Sequence, residues 1–241
     1  AVKLLGFNAM RQNLITSFLI EHLTKQLDLA RFDFEAFQER ARVAAALART
    51  LGEGLEVDGL GDLYTAALIH GIGTLVAAVH FPEALREIDA AGEADRQARQ
   101  EVERWVLGAD LAEIGALVLE RFNIPPAICQ AVRFHRAAGR IVADSEHFEL
   151  EFLVREAVSL TSRLRVPEGP AWERFQEALK PAAAEGRRAQ REILQGGLQS
   201  SGYQESFPAL LAAVSRVLGT CLEPFQAEGA FEADPGAEGR P

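Results

Sequence analysis

Positive charge is scarce in this sequence. The 241 residues include 25 lysines and arginines against 35 aspartates and glutamates, which gives a formal net charge of −10 at pH 7. Affinity for nucleic acids depends largely on clustered cations that neutralise phosphates. We therefore expect that this protein has no nucleic-acid partner.

Cysteine is also rare, and long apolar runs and a leader sequence are lacking. Cys129 and Cys221 lie far apart in apolar surroundings, which is typical of buried reduced thiols rather than of a disulfide or a zinc site. No run of about 18 apolar residues indicates a membrane span, and no basic-then-apolar segment opens the chain. These absences predict a cytoplasmic protein that does not cross a membrane.

Helical periodicity dominates what is present. Apolar residues recur three and four positions apart along most of the chain, a spacing that predicts amphipathic α-helices. The pattern predicts an early helix up to Leu23 and a second from near Phe34 to Gly52 or Gly54. The stretch Leu63 to Val79 is almost wholly apolar and should form the centre of the core. Because no strand-like alternation remains, the sequence predicts an all-α fold.

Glycine and proline mark where these helices break or begin. Gly71 and Gly73 interrupt the apolar stretch, where each costs about 1 kcal/mol relative to alanine in a regular helix. They predict a break or a close backbone approach. Pro82 and the pair 125–126 mark new helix starts, and a further helix is predicted from about Phe152 to Leu164.

The composition changes after Val166, which predicts three parts of the chain. Residues 1–165 form a helical core, residues 166–226 a helical extension, and residues 227–241 a disordered acidic tail. Within the extension, apolar residues at helical spacing predict an amphipathic helix that docks on a partner or forms a dimer. The stripe of this docking helix includes Phe207, Leu210, Leu211, Val214 and Leu218.

Five segments carry a resemblance to a known family. They are, in order, AVKLLGFNAMRQNL, FQERARVAAALARTLG, LYTAALIHGIGTLV, GADLAEIGALVLERFNIPPAICQAVRFHR and VREAVSLTSRLR. Together they resemble the bacterial HDOD domain, a relative of the HD-type metal-dependent phosphohydrolases, over about residues 1–165. The resemblance implies an orthogonal multi-helix bundle of the HD and HDOD type. It also implies that helices which usually precede the first segment are missing from this chain.

The resemblance predicts that the metal site of HD-type enzymes has been lost. Such sites hold one or two divalent ions with histidines and aspartates from three helices. Here Arg40 or one of its neighbours falls where the early helix should supply a histidine, and no histidine lies between His22 and His70. Gly71 follows His70 where an aspartate is expected. Ser162 replaces the aspartate of the late helix. We expect no metal or other cofactor, and the residual candidates for a metal ligand are His70, Asp110 and His135.

These residual candidates also have simpler interpretations. His70 on an apolar helix is typical of a core histidine that hydrogen-bonds to a backbone carbonyl or a hydroxyl. Asp110 and Glu113 have the spacing of a capping box. Arg133, His135 and Arg136 form a basic patch that would bind an anion or simply lie at a solvated helix end.

The function implied by the resemblance is regulation rather than catalysis. We expect a catalytically inactive HDOD-like module of bacterial signal transduction that binds signalling proteins or a second copy of itself. Two alternatives stay open. One is a phosphohydrolase with a rearranged metal site of His70, Asp62, Asp110 and His135. The other is a protein that binds a nucleotide or another anion through the basic patch without turning it over.

Overall fold

The computed structural model describes residues 15–29, 31–54, 57–90, 96–136 and 147–161. Every regular element within these ranges is an α-helix, which confirms the predicted all-α fold. The helices are α1 (residues 15–24), α2 (Phe34–Gly54), α3 (Leu60–Ile69), α4 (Ile72–His80), α5 (Pro82–Ala90), α6 (Arg96–Leu107), α7 (Leu111–Arg121), α8 (Pro126–Phe134) and α9 (Phe148–Thr161).

Helices α3 and α4 lie at the centre of the core, as the sequence predicts. Leu63 and Leu75 are almost completely buried, and α3 packs against α2, α8 and α9. By length and composition, Leu60–His80 is apolar enough to cross a membrane, so the prediction that no such segment exists is too strict. The segment is 61% buried inside the domain. Its apolar character is therefore accounted for by its place in the core.

The two glycines between and within these helices produce both predicted effects. The backbone of Gly71 leaves helical geometry and divides the segment into α3 and α4. The two helices have different neighbours, since α4 packs against α5 and α7. At Gly73, a Cβ atom would lie 1.8 Å from the carbonyl oxygen of Leu111. The glycine therefore lets the backbones of α4 and α7 meet.

Helix α9 completes the core beneath α3. It starts about one turn earlier than predicted, at Phe148, and its Leu153, Val154 and Ala157 are fully buried. These side chains join the same hydrophobic cluster as residues from α2, α3 and α8. Helix α9 therefore belongs to the same core as α2, α3 and α8.

The start of α7 confirms half of the predicted capping box. The Asp110 carboxylate accepts a hydrogen bond of 3.0 Å from the backbone N–H of Glu113, as an N-cap does. The reciprocal bond from Glu113 is not formed, because that side chain lies 3.8 Å from Arg133 instead. The first backbone N–H of α7, at Leu111, donates to Glu103 of α6.

Several predictions fall outside the described residues. These are the first part of the early helix, the residue Cys221, the extension 166–226 with its docking helix, and the tail 227–241. The other cysteine, Cys129, is buried and reduced. Its thiol lies 3.4 Å from the carbonyl oxygen of Ile124, and burial raises its pKa to about 11. Cys129 is therefore a structural residue, as predicted.

Candidate functional site

The structure brings two of the residual metal candidates together. His70 follows the last residue of α3 and His135 follows the last residue of α8, and these two helices pack against each other. The two imidazole rings meet edge to face, with centroids 5.0 Å apart and an angle of 74° between their planes. His135 is buried, whereas His70 is partly exposed. This histidine pair is the centre of the candidate site.

Backbone hydrogen bonds fix both rings in one orientation. Nδ1 of His70 lies 2.7 Å from the carbonyl oxygen of Ala67, and Nδ1 of His135 lies 2.6 Å from that of Val132. Because a carbonyl only accepts, each Nδ1 carries the proton and donates it. Burial lowers the pKa of His70 from 6.5 to about 4; the bond to Ala67 opposes this shift. His70 is therefore neutral at physiological pH.

Positive charge surrounds His70 where a metal site needs negative charge. The charges of Arg40 on α2 and of Arg136 after α8 both help to lower the pKa of His70. Arg40 is exposed, and no carboxylate of the described residues lies within ion-pair distance of it. A guanidinium repels a cation and has no lone pair to bind one. The position expected to supply a histidine ligand thus disfavours a metal.

The space expected for an aspartate beside His70 is filled. A Cβ atom at Gly71 would lie only 2.8 Å from Cε2 of the Phe37 ring. Phe37 belongs to α2 and stacks with Phe34, with ring centroids 6.2 Å apart. A carboxylate side chain at position 71 would therefore have to displace this ring.

The carboxylates proposed for a rearranged metal site do not join the histidine pair. Asp110 caps α7 and forms a 2.7 Å ion pair with Arg104. Asp62 lies in the first turn of α3, about 12 Å along the helix axis from His70, and burial raises its pKa. No cluster of three or more His, Cys, Asp or Glu side chains suited to a metal occurs in the described parts of the chain. The donor set present there does not fit the divalent ion of HD-type enzymes.

The two arginines of the basic patch pair with carboxylates on two different helices. Arg133 reaches across to α7, where it lies 2.8 Å from Glu120. Arg136 forms two parallel bonds of 2.8 and 2.9 Å with Glu103 on α6. Both guanidiniums therefore have carboxylate partners, and His135 lies between them in sequence but packs against His70. Anion binding by this patch stays a prediction.

Comparison with known proteins places this bundle in a family. A sequence model of the HDOD domain matches residues 1–138, more than half of the chain. The chain belongs to the HDOD family. No curated protein matches it significantly.

Solved structures share the HDOD fold at low sequence identity. An HDOD domain protein of unknown function from Geobacter sulfurreducens has a TM-score of 0.57 and 15% identity, and the alignment covers 90% of this chain and 73% of that one. A candidate phosphohydrolase from Shewanella amazonensis SB2B has a TM-score of 0.53 and 22% identity, with 92% and 75% covered. A candidate signal transduction protein from Marinobacter aquaeolei VT8 aligns at 20% identity over 76% of this chain and 38% of its own length, with a TM-score of 0.39. The first two likenesses show the fold of the HDOD domain and nothing about its chemistry.

Glu103, which fixes the position of Arg136 beside the histidine pair, was not identified from the sequence. Glu103 on α6 is fully buried, binds Arg136 and accepts a 3.0 Å hydrogen bond from the backbone N–H of Leu111. Arg99 lies 3.4 Å from the same carboxylate. Glu103 thus holds the residue next to His135 and the start of α7 in this HDOD domain. The only sequence signal was the helical spacing of Arg99 and Glu103, which is equally typical of a solvent-facing ion pair.

Proposed function

We propose that this HDOD domain is catalytically silent and works as a regulatory interaction module in bacterial signal transduction, in the cytoplasm. The observation that carries the proposal is the Phe37 ring in the space of the expected metal-bridging carboxylate. HD-type hydrolysis needs a divalent ion to activate water and to stabilise the developing charge. A site with a neutral His70, two nearby arginines and an aromatic ring in the place of the carboxylate does not supply that ion.

The chemistry of the histidine pair supports the same conclusion. Each Nδ1 is bonded to a backbone carbonyl, an arrangement that in metalloproteins orients the other nitrogen towards a metal. Here the second requirement, a set of anionic ligands around that nitrogen, is replaced by the charges of Arg40 and Arg136. The ring orientation of a metal site is therefore present here, whereas its negative charge is not. A structural role for the pair, holding the ends of α3 and α8 together, accounts for its contacts.

Metal content tests the catalytic half of this proposal. The purified chain is exposed in turn to manganese, iron, nickel and zinc, desalted, and analysed for bound metal alongside His70→Ala. We expect negligible metal in both proteins and no hydrolysis of phosphomonoester or phosphodiester substrates. Near-stoichiometric metal that disappears in His70→Ala, or metal-dependent hydrolysis that the variant lacks, would contradict it.

A second measurement tests the interaction half. Proteins captured by the full chain from the cytoplasmic fraction of its source bacterium are identified, purified and titrated against it. We expect a signalling protein that binds with a defined stoichiometry and a measurable Kd. If no purified candidate binds and the chain itself turns over a phosphorylated substrate, the regulatory interpretation is wrong.

A further inference from the structure

Helix α6 buries two polar side chains and exposes its tryptophan. Gln100 is buried and Glu103 is completely buried, although both are polar. Trp105, the largest apolar side chain of the helix, is 80% exposed. Amphipathic helices of globular domains normally show the opposite arrangement. The orientation of α6 therefore needs a cause.

The buried ion pair enforces this orientation. Glu103 binds Arg136 through both oxygens, and Gln100 donates to the backbone carbonyl of Arg136 at 3.4 Å. At either side, Arg99 pairs with Asp89 at 2.7 Å and Arg104 pairs with Asp110 at 2.7 Å. Rotating α6 to bury Trp105 would leave a buried charge without its partner, which is strongly unfavourable. The fold therefore presents the tryptophan to the outside and holds it there.

An apolar stripe runs along α6 beside its exposed charged residues. Ala98 and Trp105 on this stripe are exposed, whereas Val102 and Val106, three residues before and one residue after Trp105, are half-buried. Tryptophan is enriched in the energetic centres of protein interfaces, because it buries a large area at little cost in conformational entropy. We call Ala98, Val102, Trp105 and Val106 the outward stripe. Its composition is that of a docking surface for an apolar helix face.

We propose that the outward stripe is the docking site of the chain's own segment Phe207–Leu222. This segment has an apolar stripe that is predicted to extend about 22 Å as a helix, enough to cover the roughly 12 Å of the outward stripe, and Arg216 is its only charged residue. It is joined to the end of α9 by residues 162–206. Even as one continuous helix, 45 residues would span about 68 Å, which exceeds the diameter of about 40 Å expected for a domain of this size. The tether therefore lets the segment reach the outward stripe.

The tether also favours this occupant over a separate molecule. A segment on the same chain meets the stripe at an effective concentration that does not depend on the protein concentration. A second copy or a foreign protein, present at its cellular concentration, would have to displace this tethered segment from the outward stripe. The proposal is independent of catalytic silence, since a bound segment would cover α6 in an enzyme as well as in a regulator.

Tryptophan fluorescence gives a direct test in the full chain. The protein has two tryptophans, so Trp172→Phe leaves Trp105 as the sole reporter. We expect its emission to be blue-shifted and its quenching by acrylamide to be several-fold weaker than for an exposed indole. Leu211→Glu, on the apolar stripe of the segment, should shift the emission to the red and restore quenching. Ala209→Glu, predicted on the opposite face of the same helix, should leave Trp105 protected.

The same experiment distinguishes the competing occupants. Trp105 that is fully quenched in the parent and in both variants would overturn the proposal. Protection that rises with protein concentration, together with a dimer in light scattering, would assign the stripe to a second copy and also overturn it. Because Leu211→Glu alone could disturb folding, Leu218→Glu is measured as well, with helical circular dichroism as the check. Deprotection by both variants at unchanged helicity supports the proposal.

Discussion

Helices α3 and α6 occupy the same domain by opposite means. Helix α3 is apolar on nearly every side and is enclosed by α2, α8 and α9, so its place follows from burial of apolar surface. Helix α6 is polar, makes few packing contacts, and is fixed mainly through Glu103 and Arg136. Apolar packing fixes the position of α3, whereas ion pairs and hydrogen bonds fix the position of α6. Mutations can therefore disturb these two kinds of interaction separately.

The candidate site depends both on the apolar packing around α3 and on the ion pair of α6. His70 follows α3 and depends on close packing at the α3–α4 junction. His135 precedes Arg136, which α6 holds through Glu103. A mutation that disturbs either interaction should therefore alter the arrangement of His70 and His135.

The largest effect should come from filling the contact between α4 and α7. Gly73→Ala places a methyl group 1.8 Å from the carbonyl oxygen of Leu111, a backbone atom that cannot rotate away. We expect a loss of about 4 kcal/mol in the free energy of unfolding, measured with urea. Gly61→Ala is the matched control, because nothing lies within 4 Å of its Cβ position and alanine favours the helix. Equal effects of the two changes would show that α4 is not held by close packing.

Breaking the ion pair of α6 should cost somewhat less. Arg136→Met leaves the fully buried Glu103 carboxylate with Arg99 as its remaining cation, so we expect a loss of about 3 kcal/mol. Arg40→Met removes an exposed arginine without a carboxylate partner in the described residues, and should change stability by less than about 0.5 kcal/mol. Combining Arg136→Met with Glu103→Leu should recover only part of the loss, because the second change also leaves the backbone N–H of Leu111 without its acceptor. A loss no larger than that of Arg40→Met would mean that α6 does not depend on this pair.

A smaller effect should appear as a pH dependence of stability. The pKa of His70 is lowered to about 4 in the folded chain, so the unfolded chain binds its proton first as the pH falls below 6.5. Stability should therefore decrease between pH 6.5 and pH 4, by about 2 kcal/mol in total for this partly exposed ring. His70→Gln should remove this part of the slope in denaturant titrations. An unchanged slope in the variant would show that another group causes it.

The sequence predicts the part of the structure that depends on burial. The apolar stretch around Leu63, the break at Gly71 and the cap at Asp110 all follow from local patterns with a single physical meaning. Helix α6 was not predicted, because Glu103 and Trp105 have reversed roles that only the position of Arg136, 33 residues away, explains. The meeting of His70 and His135 likewise depends on how α3 and α8 pack. The closeness of the Phe37 ring to Gly71 was not predicted either, because it depends on how α2 packs against the junction of α3 and α4.

The smallest predicted effect concerns the contact between position 71 and the ring of Phe37. Gly71→Ala brings a Cβ atom to 2.8 Å from the Phe37 ring, while the backbone angles at position 71 are accessible to alanine. We expect a loss of about 1.5 kcal/mol in urea unfolding, and a smaller one in a Phe37→Leu background, with a coupling energy of about 1 kcal/mol. Coupling of that size means that the aromatic ring occupies the space of the missing carboxylate, so Gly71→Asp should also be tolerated better once Phe37 is shortened. Additive costs would mean that the junction is restrained by something other than the ring, and they would contradict the proposal that Phe37 excludes a carboxylate at position 71.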